Sequence, residues 1–248
     1  QKDSKMNESN SNLKTVMDFD LTFTCQKAFG EVCSSNEGSE AGLFKIYEVI
    51  AQDFLFPNPN NVLTFLDNHD LGRFMQKGET DLRRYKQAIA FLLTTRGIPQ
   101  IYYGTEILMT GTKAEGDGVI RTDFPGGWAG DPKNAFTPEG RTDLQNEAWN
   151  YMKKILNWRK HCDAVKEGKL IHYTPDGTGC YVYARVKDNK TVLVLMNGTD
   201  KNQTLDMNRF QEVVKDYKSG KDIITDTTVA IDTPVQIPAR GVYILELS

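Results

Sequence analysis

The run Val62-Leu63-Thr64-Phe65-Leu66 is apolar at every position but one. A strand with one face in water alternates apolar and polar residues. A near-continuous run needs cover on both faces, as a parallel sheet has between two layers of helices. Its neighbours in the chain must then supply those layers.

They have the pattern to do so. Residues 40–54 place Leu43, Tyr47, Ile50 and Phe54 at helical spacing, broadened by Phe44 and Ile46, before the Pro-Asn run 56–61 breaks the pattern. A second helix is expected at 81–96, with Leu82, Tyr85, Ile89 and Leu92 on one face. Thr80 or Asp81 can cap its start, and Gly97 and Pro99 stand where a helix ends. Thr15–Phe19 and Gln100–Tyr103 read as strands on either side. The Gly-rich stretch 104–141 has little periodicity, and loops that long inside a compact domain usually serve function. Thr142 and Gln145 form a capping box for a last helix at about 143–160, with Leu144, Ala148, Tyr151, Ile155 and Trp158 on one face. Residues 1–14 are polar and read as a loop or tail.

Strands alternating with helices imply a parallel sheet with right-handed crossovers. Three such strands cannot close a barrel, which needs eight. The fold expected is therefore α/β: the last three βα units of a (β/α)8 TIM barrel, followed by an all-β sandwich. An open three-stranded sheet completed by the partner chain of a dimer is the alternative. It leaves apolar edge strands, an aggregation hazard. From about residue 165, short strand-like runs (170–174, 180–186, 191–197, 203–206, 229–231, 242–247) alternate with turn signals at 175–177, 187–189, 197–198 and Ser219-Gly220. The division expected is a partial catalytic barrel over 1–162 and an antiparallel β-sandwich over 163–248.

Composition narrows the function classes. A net charge of −3 with both signs mixed gives no reason to expect nucleic acid or an anionic membrane as partner. No apolar run reaches the ~20 residues that span a bilayer. Gln1–Lys5 carries neither an initiating Met nor a signal-peptide core, and the chain reads as starting inside a longer protein. Cys25, Cys33, Cys162 and Cys180 match no zinc spacing; scattered thiols are expected, with a Cys25–Cys33 pairing open by distance along the chain.

Chemistry concentrates at the end of the apolar run. Asp67-Asn68-His69-Asp70-Leu71-Gly72-Arg73 packs two carboxylates, an amide, an imidazole and a guanidinium into seven residues. It follows a buried strand at its C-terminal end, where barrel enzymes place their reacting groups. Such a lining suits sugar hydroxyls that lose water. A capped strand-to-helix turn is the better account of any one of these residues taken singly, and function the better account of the whole cluster directly after a buried strand. A metal held by Asp67 and Asp70 needs further oxygen ligands that the sequence does not identify, and no cofactor is indicated. Trp128, flanked by glycines, suits stacking on a glucose face or anchoring a loop. Arg121 and Asp123 suit substrate contacts or a loop ion pair. Glu106 suits bracing of the turn after the third strand, and His161 and His172 suit structural or solvent-exposed places. Trp149 and Trp158 read as core.

Phe65–Asp70 resembles the α-amylase family segment that ends Asn-His-Asp after the seventh barrel strand. Ile98–Glu106 is similar to the family's eighth strand and its Tyr-Gly-x-Glu. Arg121–Trp128 resembles the long loop that follows that strand in neopullulanase-like members. Trp158–Lys160, Tyr181–Arg185 and Ile237–Tyr243 resemble the last barrel helix and strands of the C-terminal sandwich, so the resemblance covers about residues 15–248. It implies a retaining hydrolase of α-1,4, and also α-1,6, glucans such as maltooligosaccharides, pullulan or cyclodextrins. In such an enzyme nucleophile and acid/base stand ~5–5.5 Å apart. Both would lie upstream of Gln1, leaving this chain alone inactive. Asp70 would be the carboxylate that grips the distorted sugar in the transition state. His69 would donate to a hydroxyl in the same subsite, Asn68 and Asp67 would shape the turn, and Arg73 would steady the site from behind; Arg121 and Trp128 complete the substrate-binding candidates. The resemblance further implies calcium and a homodimer as options for the intact parent, and an extracytoplasmic, periplasmic place. A non-catalytic carbohydrate-binding or scaffold module, or a truncated relative serving assembly, is the rival reading.

Overall fold

The computed structural model describes residues 15–31 and 41–248. The polar segment 1–14 and Cys33, with its pairing to Cys25, lie outside the described residues; Cys25, Cys162 and Cys180 are buried.

The apolar run does enter a parallel arrangement. Strand β1 (Leu63–Thr64) pairs with β2 (Ile98–Pro99), and Met17 makes a single parallel bridge to Leu63 on the other side. The backbone bonds continue past the paired residues: Leu63 N to Val16 O and Asp18 N to Leu63 O, both 2.9 Å, and Gln100 N to Thr64 O, 2.8 Å. The third strand thus pairs at 98–99, earlier than the expected 100–103, and Tyr102 and Tyr103 belong to the turn beyond it. Ile98 and Gln100 both donate toward β1. The missing N–H of Pro99 therefore faces the open edge, where no ladder bond is lost.

Helices cover the sheet. Helix α1 (Phe19–Ala28), absent from the sequence reading, buries Leu21, Thr22, Cys25 and Ala28. Asp18 caps it by accepting from Leu21 N at 3.0 Å, and Thr22 Oγ1 donates to Phe65 O at 2.8 Å. Helix α2 (Leu43–Ile50) is shorter than the expected 40–54 and runs on into a 3₁₀ turn at Asp53–Leu55. The change of winding swings Phe54 off the apolar stripe, leaving it 82% exposed. Helix α3 (Arg83–Thr94) is buried from Gln87 through to Thr94. Within the long loop lie one short α-helix, α4 (Asp117–Ile120), and 3₁₀ turns at Thr105–Ile107, Lys113–Glu115 and Pro138–Gly140. Helix α5 (Asp143–Arg159) starts on the Thr142/Gln145 capping box, and α6 (Asp163–Glu167) leads out of it.

The remaining strands are β3 (Lys169–Tyr173), β4 (Cys180–Lys187), β5 (Lys190–Asn197), β6 (Gln203–Leu205), β7 (Ser219–Asp222), β8 (Thr228–Ala230), β9 (Val235–Ile237) and β10 (Val242–Leu247). A further short helix, α7 (Gln211–Val214), follows β6. The main sheet is antiparallel in the order β3-β4-β5-β10-β7-β8, and β6 pairs with β9 separately. Ser219-Gly220 is strand, not the turn expected. Its lack of apolar alternation hid it, and Gly220 is required because a Cβ there would stand 2.8 Å from Leu245.

Alternation divides the sheet between two cores. Tyr181, Tyr183, Val192, Val194, Met196 and Ile244 join the cluster formed by the helices. Val182, Ala184, Leu193, Leu195 and Leu245 face Leu205, Val235 and Ile237. Each such large apolar side chain contributes about 1.5–3 kcal/mol on burial. The first cluster passes from helices to sheet without a break, and buried polar groups cross with it. Gln87 Nε2 donates to Asn197 O at 2.7 Å; Arg185 Nη2 donates to Asn60 Oδ1 at 3.0 Å and Gly168 O at 2.8 Å.

Candidate functional site

Residues 67–73 leave the C-terminal end of β1 and turn sharply. Asp67 and Asn68, each 2% exposed, form the base of the turn. Asn68 Oδ1 accepts from Asp70 N (2.9 Å) and Leu71 N (3.0 Å), closing an Asx turn. Asp67 Oδ2 accepts from Phe74 N at 2.8 Å and Oδ1 from Thr105 Oγ1 at 3.1 Å, tying the exit of β1 to the loop after β2. Burial pushes the Asp67 carboxyl above the usual carboxylate range, against the lowering effect of those bonds.

This buried base presents His69 and Asp70 to solvent. Their side chains are 61% and 60% exposed, with His69 Nε2 3.2 Å from Asp70 Oδ2. Arg121 closes over them from the long loop. Its Nη2 lies 3.2 Å from Asp70 Oδ1 and 3.0 Å from Asp117 Oδ2, and its Nε donates to His69 O at 3.0 Å. Arg121 thus pairs with Asp70 and Asp117 rather than with Asp123. Lys113 hydrogen-bonds Asp117 and holds that carboxyl low. Asp117 was missed in the sequence, although its i,i+4 spacing to Arg121 on a short helix is a legible signal.

Arg73 does not reach the exposed face. It is 6% exposed, donates from Nε to Ile120 O at 3.0 Å and from Nη1 to Tyr103 O, and lies 4.0 Å from the Tyr102 ring centroid. It braces the loop behind His69 and Asp70 rather than facing a ligand. Glu106 is half-buried, and burial pushes its carboxyl up. Trp128 is 78% exposed, so it is no buried loop anchor. Trp149 is half-buried beside the Arg141 guanidinium, 4.2 Å away, and Trp158 packs against the helical core. His172 stacks on Tyr47 and bonds Tyr181 Oη at 3.0 Å. Among the described residues no group of three or more His, Cys, Asp or Glu is arranged to hold a metal. The turn therefore offers a carboxylate, an imidazole and a guanidinium held together at a solvent-facing rim, a set that can accept from and donate to hydroxyls.

The family model of the cyclo-malto-dextrinase C-terminal domain matches residues 170–246. The cyclomaltodextrin glucanotransferase of Thermoanaerobacterium thermosulfurigenes is 33% identical over 177 residues, 71% of this chain and 22% of that protein. An α-amylase of Niallia circulans is 28% identical over 235 residues, 91% of this chain and 39% of that protein. The α-amylase from Geobacillus thermoleovorans, solved with acarbose, superposes with a TM-score of 0.76 at 22% identity, over 100% of this chain and 50% of that one. The chain belongs to the α-amylase family. It spans less than two fifths of the length of the T. thermosulfurigenes and N. circulans relatives. As an α-amylase-family chain it combines an α/β portion with a C-terminal β-sandwich, and among its described residues no helix is long and apolar enough to cross a membrane.

Proposed function

We propose that this chain is the C-terminal part of a retaining glycoside hydrolase of the neopullulanase or cyclomaltodextrinase type. Its parallel portion supplies the last three βα units of a (β/α)8 barrel, with the catalytic portion over 1–162 and the sandwich over 163–248. The intact protein cleaves α-1,4 links of maltooligosaccharides, pullulan or cyclodextrins, with α-1,6 links as a further specificity to test. It works outside the cytoplasm, in the periplasm, and homodimerises. The observation that carries the reading is the solvent-facing His69–Asp70 pair on a buried, fully bonded turn at the C-terminal end of β1.

In this reading Asp70 accepts hydroxyls of the distorted sugar as positive charge develops on its ring. His69 donates to a neighbouring hydroxyl, and Asn68 and Asp67 fix the turn. Arg121 contacts the substrate and Arg73 holds the loop from behind. The nucleophile and the acid/base come from upstream strands, so the chain alone has no covalent route to products. Met17 on one outer segment of the small parallel sheet and Ile98 on the other are exposed, as are Phe19 and Phe23 on α1 and Tyr103 beyond β2, which supports further strands and helices around them. Calcium finds no set of three ligating side chains among the described residues, and no step passes through it.

The test is sugar release from β-cyclodextrin, pullulan and maltoheptaose by this chain and by one extended upstream through the missing barrel. Activity is expected only in the extended protein, where Asp70→Asn should lower turnover by about 10²-fold or more. Near-normal turnover in that variant would remove Asp70 from the mechanism. Inactivity of both proteins would favour a non-catalytic carbohydrate-binding module.

A further inference from the structure

Past Arg121 the long loop builds something that the Asp70 site does not use. Trp128 is 78% exposed and Phe136 is 56% exposed. The backbone beside the first lies against the second. A Cβ on Gly127 would stand 3.4 Å from the Phe136 ring, and Phe136 stacks on Phe124 with centroids 4.5 Å apart. Large aromatic side chains in water cost solvation unless something covers them.

A loose loop would explain the exposure, but this loop is tightly tied. Ala135 N donates to Pro125 O at 2.7 Å, Arg141 Nη1 to Ala135 O at 2.8 Å, and Trp128 N to Asp131 Oδ2 at 2.9 Å. Asn134 is clasped from two sides. Gly126 takes φ +110, where a Cβ would come within 2.7 Å of Asn134 Cα, and a Cβ on Gly140 would come within 1.9 Å of Asn134 O. Stacking of the Arg141 guanidinium on Trp149 fixes the base of the loop to α5. The aromatic tip is therefore presented by a backbone ordered in advance, which lowers the entropy cost of binding.

We propose that Trp128 and Phe136 form a second glucan-binding platform, one that holds a maltooligosaccharide without help from the catalytic centre. The substrate class rests on the glycoside hydrolase reading above; the platform itself rests on the loop. Size favours a sugar chain over a protein. Two aromatic side chains offer at most ~150–250 Å² each, whereas a stable protein interface buries about 800 Å² per partner. That area fits one or two pyranose rings, whose apolar faces stack while their hydroxyls meet the rim. Asp131, Lys133 and Thr137 are exposed there. The loop also connects the platform to the site, since Arg121 at its start reaches Asp70.

The experiment is calorimetric titration of the 248-residue chain with maltoheptaose, with sedimentation of the same samples. The chain should bind, W128A and F136A should each weaken binding, W128A by about tenfold, and W128F should retain most of the affinity. Absence of binding by the parent chain would overturn the proposal. So would unchanged binding in W128A, or a loss in D70N alone, which would put the sugar at Asp70. A dimer that W128A converts to monomer would make the patch an interface between copies and overturn it too. Activity of the extended protein without Trp128-dependent binding leaves the hydrolase reading standing and removes only the platform. Trp128-dependent binding beside an inactive extended protein does the reverse.

Discussion

Arg96 is 1% exposed, with Nη1 2.7 Å from Asp18 Oδ2 and Nη2 2.7 Å from Asp53 Oδ1. It joins the start of α1, the 3₁₀ turn after α2 and the end of α3 in one buried ion triad. Removing a single partner leaves uncompensated charge in a dry place. Arg96→Ala should cost about 3–5 kcal/mol in urea unfolding; a loss below ~1 kcal/mol would mean that water reaches the triad. His172 makes the opposite case, a half-buried group kept neutral by the loss of water around it. Between Tyr47 and Tyr181, its imidazole is held down at about 4 by burial. The unfolded chain binds that proton near the ordinary 6.5. Its contribution to stability is therefore full above pH 6.5 and is lost as pH falls toward 4. As pH drops through that window, the melting temperature of the parent should fall relative to that of His172→Phe. Parallel curves would place the imidazole in water. Arg96 read only as the tail of a helix, and His172 as a structural or solvent-exposed histidine; their partners Asp18, Asp53 and Tyr47 lie too far off in the chain to be read.

Elements were legible where one physical signal dominated. Thr142 and Gln145 marked the start of α5 because a capping box satisfies two orphan N–H groups at once. The strands 180–187, 190–197 and 242–247 were readable because they are long and apolar. Helix α1 escaped because its buried face includes Thr22 and Cys25 and is held by hydrogen bonds to Asp18 and Phe65 as much as by apolar contrast. Strands β7 and β9 escaped for a similar reason: a four-residue and a three-residue pairing are decided by partners distant in the chain, not by local pattern. At the candidate site, the turn residues Asp67 to Arg73 were readable as a cluster. The closure of Arg121 over Asp70 was not, since it spans 51 positions along the chain.

The molecule as a whole is bound across the join between its helical and all-β parts. Tyr183 Oη shares a 2.6 Å hydrogen bond with Thr94, and Tyr151 Oη donates to Lys86 O at 3.0 Å within the same core. Urea unfolding followed by tryptophan fluorescence, which reports Trp149 and Trp158 on α5, should coincide with that followed by far-ultraviolet circular dichroism. Two separated transitions would mean that the sheet holds without the helices. The three parallel segments at Met17, β1 and β2 carry a further consequence, one of counting. Copies of this chain added edge to edge would bring strands in multiples of three, giving six or nine. Eight is not among them. On the barrel proposed above, no number of copies reaches eight with the strands described here, so that barrel requires a different stretch of polypeptide to complete the ring around Asp70.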